Sequence, residues 1–248
     1  MKEQYEQATS SAAAFILVLA VIIVCIGVFS AAVLPVEQQR KAEQTADEVQ
    51  IRLAETVFLM RGIAESAETR NLQFSTLLPK GTLTAESDGY LQIAEHQIPL
   101  SSISLETGRT TQGISAGDIW RKDGNDAAWI LLPQTAYESG TLSLELFVLD
   151  GNPTYGSTDA IPFRVTSTGS RTQTFSGNTI SLTVVSEKAW VQNLWKTFFR
   201  EIGFLYPKID TKITSKSDRI TAEFSIKNES LTLELKESFF TISAGGNP

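Results

Sequence analysis

The sequence predicts an α+β chain. A long N-terminal helix, transmembrane in its first half and amphipathic in its second, carries a mostly antiparallel, β-sandwich-like head with one amphipathic helix of its own. Three observations support that expectation. Between Glu6 and Glu37 no side chain is ionisable except the thiol of Cys25. Residues 37–70 then repeat apolar or small side chains at helical spacing. From Thr82 onward the period drops from 3.6 to 2, with short runs separated by Gly, Ser, Asp and Asn. The implied divisions are a short polar leader or cytoplasmic tail at 1–8, a membrane helix at 9–36, a stalk helix at 37–71 and a β-rich extracytoplasmic head at 72–248.

The uncharged run has its core at Ala12–Val36. At 1.5 Å per helical residue, roughly 20 residues cross a hydrocarbon layer of about 30 Å. In lipid the backbone groups of such a run must be satisfied within it, which favours a helix. Two other readings compete: a cleaved secretory signal, with Ser30-Ala31-Ala32 as small residues at the cut, and a core helix of a soluble domain. The run exceeds the usual apolar length of a signal, and the retained membrane helix is preferred. Gly27 and Ala31, four apart, form a small-xxx-small pair suited to close helix packing. Pro35 removes a backbone donor and kinks the helix or opens a second one. Lys2 precedes the run and Arg40 and Lys41 follow it, a difference too small to set the orientation of a long following domain.

In the stalk, Ala42, Ala46, Val49, Leu53, Val57, Met60, Ala64 and Ala67 fall on one stripe, with Glu43, Glu48, Arg52 and Glu55 opposite. Asn71 is a plausible stop, and Pro79-Lys80-Gly81 turns the chain into the head. There the predicted strands are Tyr90–Ile98, Ile103–Glu106, Ile114–Trp120, Trp129–Leu132, Thr141–Leu149, Ile161–Thr166 and Thr179–Val185. Trp190, Val191, Leu194, Trp195, Phe198, Phe199, Ile202 and Leu205 then predict an amphipathic helix. Its outer face carries Gln192, Lys196, Arg200 and Glu201; Ser186 caps its start and Gly203 with Pro207 closes it. Such a stripe most simply covers the open face of a sheet. A hairpin of Ile220–Lys227 and Ser230–Lys236 follows, with Leu231, Leu233 and Leu235 inward, then a last strand at Phe239–Ile242.

The chemistry-bearing residues are sparse. A net charge of −7 without a basic cluster does not suit nucleic acid, whose affinity comes from phosphate neutralisation. The single cysteine can form no intramolecular disulfide, and one histidine, His96, excludes the usual zinc sites. His96 is expected on a sheet surface. No nucleophile elbow is expected. Asp123-Gly124-Asn125-Asp126 reads as a polar turn in preference to a calcium loop. Asn228-Glu229-Ser230 fits the N-glycosylation pattern on an exposed turn. The expectation is therefore no catalytic residues, no metal ligands and no cofactor.

The layout resembles archaeal type IV pilin-like proteins, in the start Glu6-Gln7-Ala8-Thr9-Ser10 before the apolar helix. Trp129-Ile130-Leu131-Leu132 and Thr179–Trp190 are similar to stretches of pilin-like surface proteins of haloarchaea and methanogens. The resemblance implies prepilin-type cleavage at Glu6/Gln7 or Ala8/Thr9. Tyr5-Glu6 stand where that family has a basic residue followed by Gly or Ala. It further implies a membrane-anchored structural or adhesion subunit of the cell surface, single-pass, with its head extracellular and able to enter filaments. Its partners would be membrane lipid and copies of itself or other pilin-like subunits. The alternative is a single-pass binding ectodomain that does not polymerise. Scattered Ser, Asp and Glu leave an anchored hydrolase as a third class.

Overall fold

The computed structural model describes residues 22–24, 37, 40–41, 43–65, 72–108, 110–151 and 153–245. The chain divides into two compact units, Met1–Thr45 and Ala46–Pro248. In the first, the described residues are helical, and the Thr45 hydroxyl donates to the Lys41 carbonyl at 2.9 Å.

The second unit begins within helix α1, described over residues 43–65. Among the described residues fourteen strands follow: β1 (Gln73–Leu78), β2 (Gly81–Ile93), β3 (His96–Thr107), β4 (Thr110–Ser115), β5 (Asp118–Asp123), β6 (Asp126–Trp129), β7 (Thr135–Glu138), β8 (Thr141–Asp150), β9 (Thr154–Ser157), β10 (Ile161–Gly177), β11 (Thr179–Val185), β12 (Ile209–Ser215), β13 (Arg219–Ile226) and β14 (Leu231–Ala244). Helix α2 (Ala189–Leu205) lies between β11 and β12. The first sheet has the order β1-β10-β14-β8-β7; the second runs β12-β13-β11-β2-β3-β4-β5-β6, with β9 also on β2. Pairing is antiparallel except for β14 beside β8, which is parallel.

The expected long helix carrying a head is not this architecture. The protein is mostly β, and among the described residues no helix is long and apolar enough to cross a membrane. The stripe assigned to a stalk does form, but Ala46, Val49, Leu53, Val57, Met60 and Ala64 are all buried. All but Ala46 pack in one cluster with Leu78, Leu83, Ile103, Leu105, Phe163 and Phe240 of the sheets. An amphipathic stripe is stable where its apolar face is covered, and here the β-sheets of the same unit cover it. The membrane-spanning, type IV pilus and pilin-like labels attached to a free-standing helix lose their structural basis with it. Most of the apolar run itself, including Gly27 and Ala31, lies outside the described residues.

A second cluster joins the sheets elsewhere. Leu142, Leu144 and Leu146 of β8 and Leu231, Leu233 and Leu235 of β14 meet Leu91, Leu182, Val184 and Phe224 of the other sheet. Helix α2 adds Val191, Trp195, Phe198, Phe199 and Ile202, and its Leu194 is buried as well. It covers part of the second sheet, as its aromatic stripe predicts. Trp129 Nε1 donates to the Leu194 carbonyl at 2.8 Å, and the Tyr206 hydroxyl to the Thr135 carbonyl at 2.8 Å, pinning the helix to β6 and to the start of β7. Strand β8 serves both clusters, with Phe147 and Leu149 turned to the α1 side. Burial on both faces explains its unbroken apolar ending, Leu146–Leu149.

Several local expectations change. Tyr90–Ile98 is broken by a turn at Ala94-Glu95, where Ala94 takes φ 54° without the glycine that usually marks such a turn. Ile114–Trp120 is likewise two strands, turning at Ala116-Gly117. Trp129–Leu132 ends its strand at Trp129. Asp123–Asp126 is the tip of the β5–β6 hairpin, as read. The expected Ile220–Lys227/Ser230–Lys236 hairpin does not form. Its turn at Asn228 exists, but β13 lies in the second sheet and β14 in the first, and β14 continues unbroken to Ala244. Gln192, placed on the outer face of α2, is buried and donates to the carbonyls of Ser186 (2.7 Å) and Ser217 (3.1 Å). The N-cap is Lys188, and the Ser186 hydroxyl accepts from its backbone N–H at 3.1 Å.

Candidate functional site

The residues singled out for processing and helix packing, Glu6, Gln7, Ala8, Thr9, Gly27 and Ala31, lie outside the described residues, as does Cys25. The geometry therefore has to be built from the β body.

A depression lies where β2 meets the start of α2. Opposite β3, Ser87 pairs with Ser101 and Gly89 with Leu100, so Asp88 is an extra residue in a β-bulge. Gly89 takes φ 105°, and a Cβ there would stand 1.9 Å from the Val185 carbonyl oxygen. Only glycine lets β2 approach β11 so closely. The bulge buries the Asp88 side chain, which lies 2.9 Å from Lys188 Nζ; the same ammonium meets Glu86 at 2.6 Å. Ser87–Tyr90 and Val185–Lys188 line an open cleft of about 350 Å³. Beside it the Trp190 ring packs on Trp120 at 4.5 Å, with the ammoniums of Lys122 and Lys188 at 5.6 and 5.8 Å from its centre.

Burial pushes the Asp88 carboxyl above its ordinary value, against the opposing pull of Lys188 and Ser102. Burial would lower Lys188, but hydrogen bonds and charge from Glu86 and Asp88 outweigh it and hold the amine above its usual range. A nucleophilic lysine needs the reverse, a depressed value that frees the lone pair. The cleft thus offers a fixed ammonium between carboxylates, hydroxyl and backbone groups and an indole face.

A second polar centre joins the sheets. Glu237 is fully buried and is gripped by Arg171, Nε to Oε1 at 2.8 Å and Nη2 to Oε2 at 2.8 Å, while His96 Nε2 lies 3.0 Å from Oε1. Burial pushes this carboxyl up, yet Arg171 and His96 together carry it below its ordinary value. His96 is accordingly a link between β3 and β14 and not the plain sheet-surface residue that its strand position suggests.

The third centre ties α1 to β5. Arg61 Nη2 donates to Asp118 Oδ1 at 2.7 Å, and Asp118 is wholly buried. Its Oδ2 has no hydrogen-bond partner among the described residues. Burial, opposed by Arg61 and aided by Glu145, raises its carboxyl to about 7. At the other end of α1, Gln112 Nε2 donates to the Ala46 carbonyl at 2.7 Å.

The expectation that the chain lacks a nucleophile elbow overlooks Gly113-Ile114-Ser115-Ala116-Gly117, which has the G-x-S-x-G spacing. The structure removes its chemical meaning. An elbow needs a strand-to-helix turn that exposes the serine, whereas Ser115 is buried and pairs with Asp118 across a β-hairpin. No local signal could have located the other centres. Arg61 and Asp118 are 57 residues apart, Lys188 and Asp88 100 apart, and His96 and Glu237 141 apart. Gly89 within a strand pattern was the one available hint of a bulge.

No curated protein and no solved structure matches this chain. The model of the Family of unknown function (DUF7289) matches residues 7–235, which takes in the apolar run, α1, α2 and the Asp88–Lys188 and Arg61–Asp118 centres but stops short of Glu237, and the chain belongs to that family.

Proposed function

We propose that this chain is a non-enzymatic structural or binding subunit of the cell surface, acting through contacts of its β body. The uncharged run 12–36 holds it in place, against lipid or against like chains. The observation that carries the reading is the sequence of parts: an uncharged run directly precedes a helix whose inner stripe is built into the core of the body. The protonated, carboxylate-held Lys188 in the cleft supports binding over covalent chemistry.

Cell fractionation tests this. The expected result is that the native chain sediments with the envelope, resists a high-salt wash, and is reached by protease added to intact cells. Native chain retaining residues 12–36 yet recovered quantitatively in the soluble fraction would overturn it. Sequencing of the native N-terminus separates an intact run from one removed after Ala32.

A further inference from the structure

Helix α1 is apolar on two faces. Its inner stripe is consumed by the core, but Ile51, Phe58 and Leu59 are also large apolar side chains and stand 58%, 76% and 45% exposed. Ile51 and Phe58 are seven residues apart, so they lie one above the other on the side turned away from Val49, Leu53 and Met60. Between them on the same outward side sit Arg52 and Glu55, paired at 3.0 Å and both about half exposed. A helix confined to a solvated role would carry polar residues across this face.

We infer that the outward face of α1 is a self-association surface, on which the same face of a second copy packs antiparallel about a two-fold axis near Glu55. The pattern is self-complementary in that direction. Two-fold pairing requires that if residue i meets j, then j meets i. With the axis near Glu55, each Ile51 meets the partner copy's Phe58 and Leu59. The two Glu55 carboxylates approach each other with both Arg52 guanidiniums in reach, so the centre is neutral and each carboxylate can accept from two arginines. A parallel arrangement instead sets Phe58 on Phe58 and Glu55 on Glu55, without exchange between the apolar and charged positions. Three side chains fall well short of the ~800 Å² per partner of a stable complex. The contact is therefore weak and exchanging in an isolated pair, a state that disulfide trapping reads. It goes beyond the proposed function by naming a surface for contacts between like chains, and does not depend on that reading.

Site-directed disulfide formation in the full chain tests it, in a Cys25→Ser background so that the added thiol is the only one. Glu55→Cys should cross-link to its own copy at least tenfold faster than Glu65→Cys, since antiparallel copies separate the two 65 positions by about 30 Å. Adding Phe58→Glu, at a position exposed enough to spare the fold, should remove the preference; Phe58→Ser serves if the charge proves disruptive. Arg52→Glu should do the same, by leaving four carboxylates at the axis. Equal cross-linking at 55 and 65, whether from association through residues 12–36 or from parallel packing, would overturn the inference. So would a 55 signal that ignores Phe58. Either failure leaves the fractionation result, and with it the proposed function, standing or falling separately.

Discussion

Asp118 should make the protein less stable as pH rises through neutrality, the reverse of the usual behaviour of a carboxylate. Its folded value is raised from 3.8 to about 7 by burial, with Arg61 opposing and Glu145 reinforcing the shift. A raised folded value means that the native state holds the proton more tightly than the unfolded chain does. The contribution is therefore fully present below about pH 4 and is lost as pH climbs through 7. About three pH units at 1.36 kcal/mol each set its full size at about 4 kcal/mol. Glu237, held below its ordinary value, acts with the opposite sign at the acid end, so the informative quantity is the difference from Asp118→Asn. Asparagine keeps the Oδ1 acceptor that Arg61 bonds at 2.7 Å and carries no titrating proton. Urea unfolding followed by the fluorescence of Trp120, Trp129, Trp190 and Trp195 gives both stabilities at intervals from pH 4 to pH 8. The wild type should lose up to about 4 kcal/mol relative to the variant across that window. A constant difference, or a wild type that gains on the variant with rising pH, would show that Asp118 is an ordinary ionised partner of Arg61 and refute the reasoning.

Further outcomes follow from the same geometry. Leu53→Ala in α1 should lower the stability of the whole β body by about 2–5 kcal/mol in a single transition, because its side chain fills the shared core; a detachable stalk would leave the tryptophan transition unmoved. Arg171→Ala leaves Glu237 buried with only His96 and should cost about 3–5 kcal/mol, whereas His96→Ala, which spares the arginine fork, should cost about 1–3 kcal/mol in the same urea assay. Glu237 lies below its ordinary value, so its share of stability is present above the unfolded carboxylate range and is lost as pH falls through the folded value. Gly89→Ala should destabilise by about 3 kcal/mol or more, since the added carbon meets the Val185 carbonyl at a φ that alanine resists. Thermal melts of that variant against Gly108→Ala, where φ is also positive but no atom lies near, separate the clash from backbone strain.

Local chemistry alone specified much of the element content. The stripe from Ala46 to Ala64, the aromatic face of α2, and strands Thr141–Leu149 and Thr179–Val185 all recur in the structure with the inward residues read from their period, except on α2, where Leu205 is exposed and Gln192 buried. The turns at Asp123–Asp126, Ser176–Asn178 and Asn228 are likewise where their residues place them. These features depend on neighbours within a few positions, which is the range over which side-chain period and turn geometry act. What surrounds each element depends on chain segments far away. Nothing near Asn228 shows that β13 and β14 part to different sheets, because β14 takes its partners from β8 and β10, roughly 60 to 90 residues upstream. A stripe of six apolar side chains also fits a free stalk, a helix pair or a sheet cover equally well, since each would bury the same surface. The tertiary fold selected the sheet cover, and in doing so set Arg61 on Asp118 and turned the supposed stalk into part of the core.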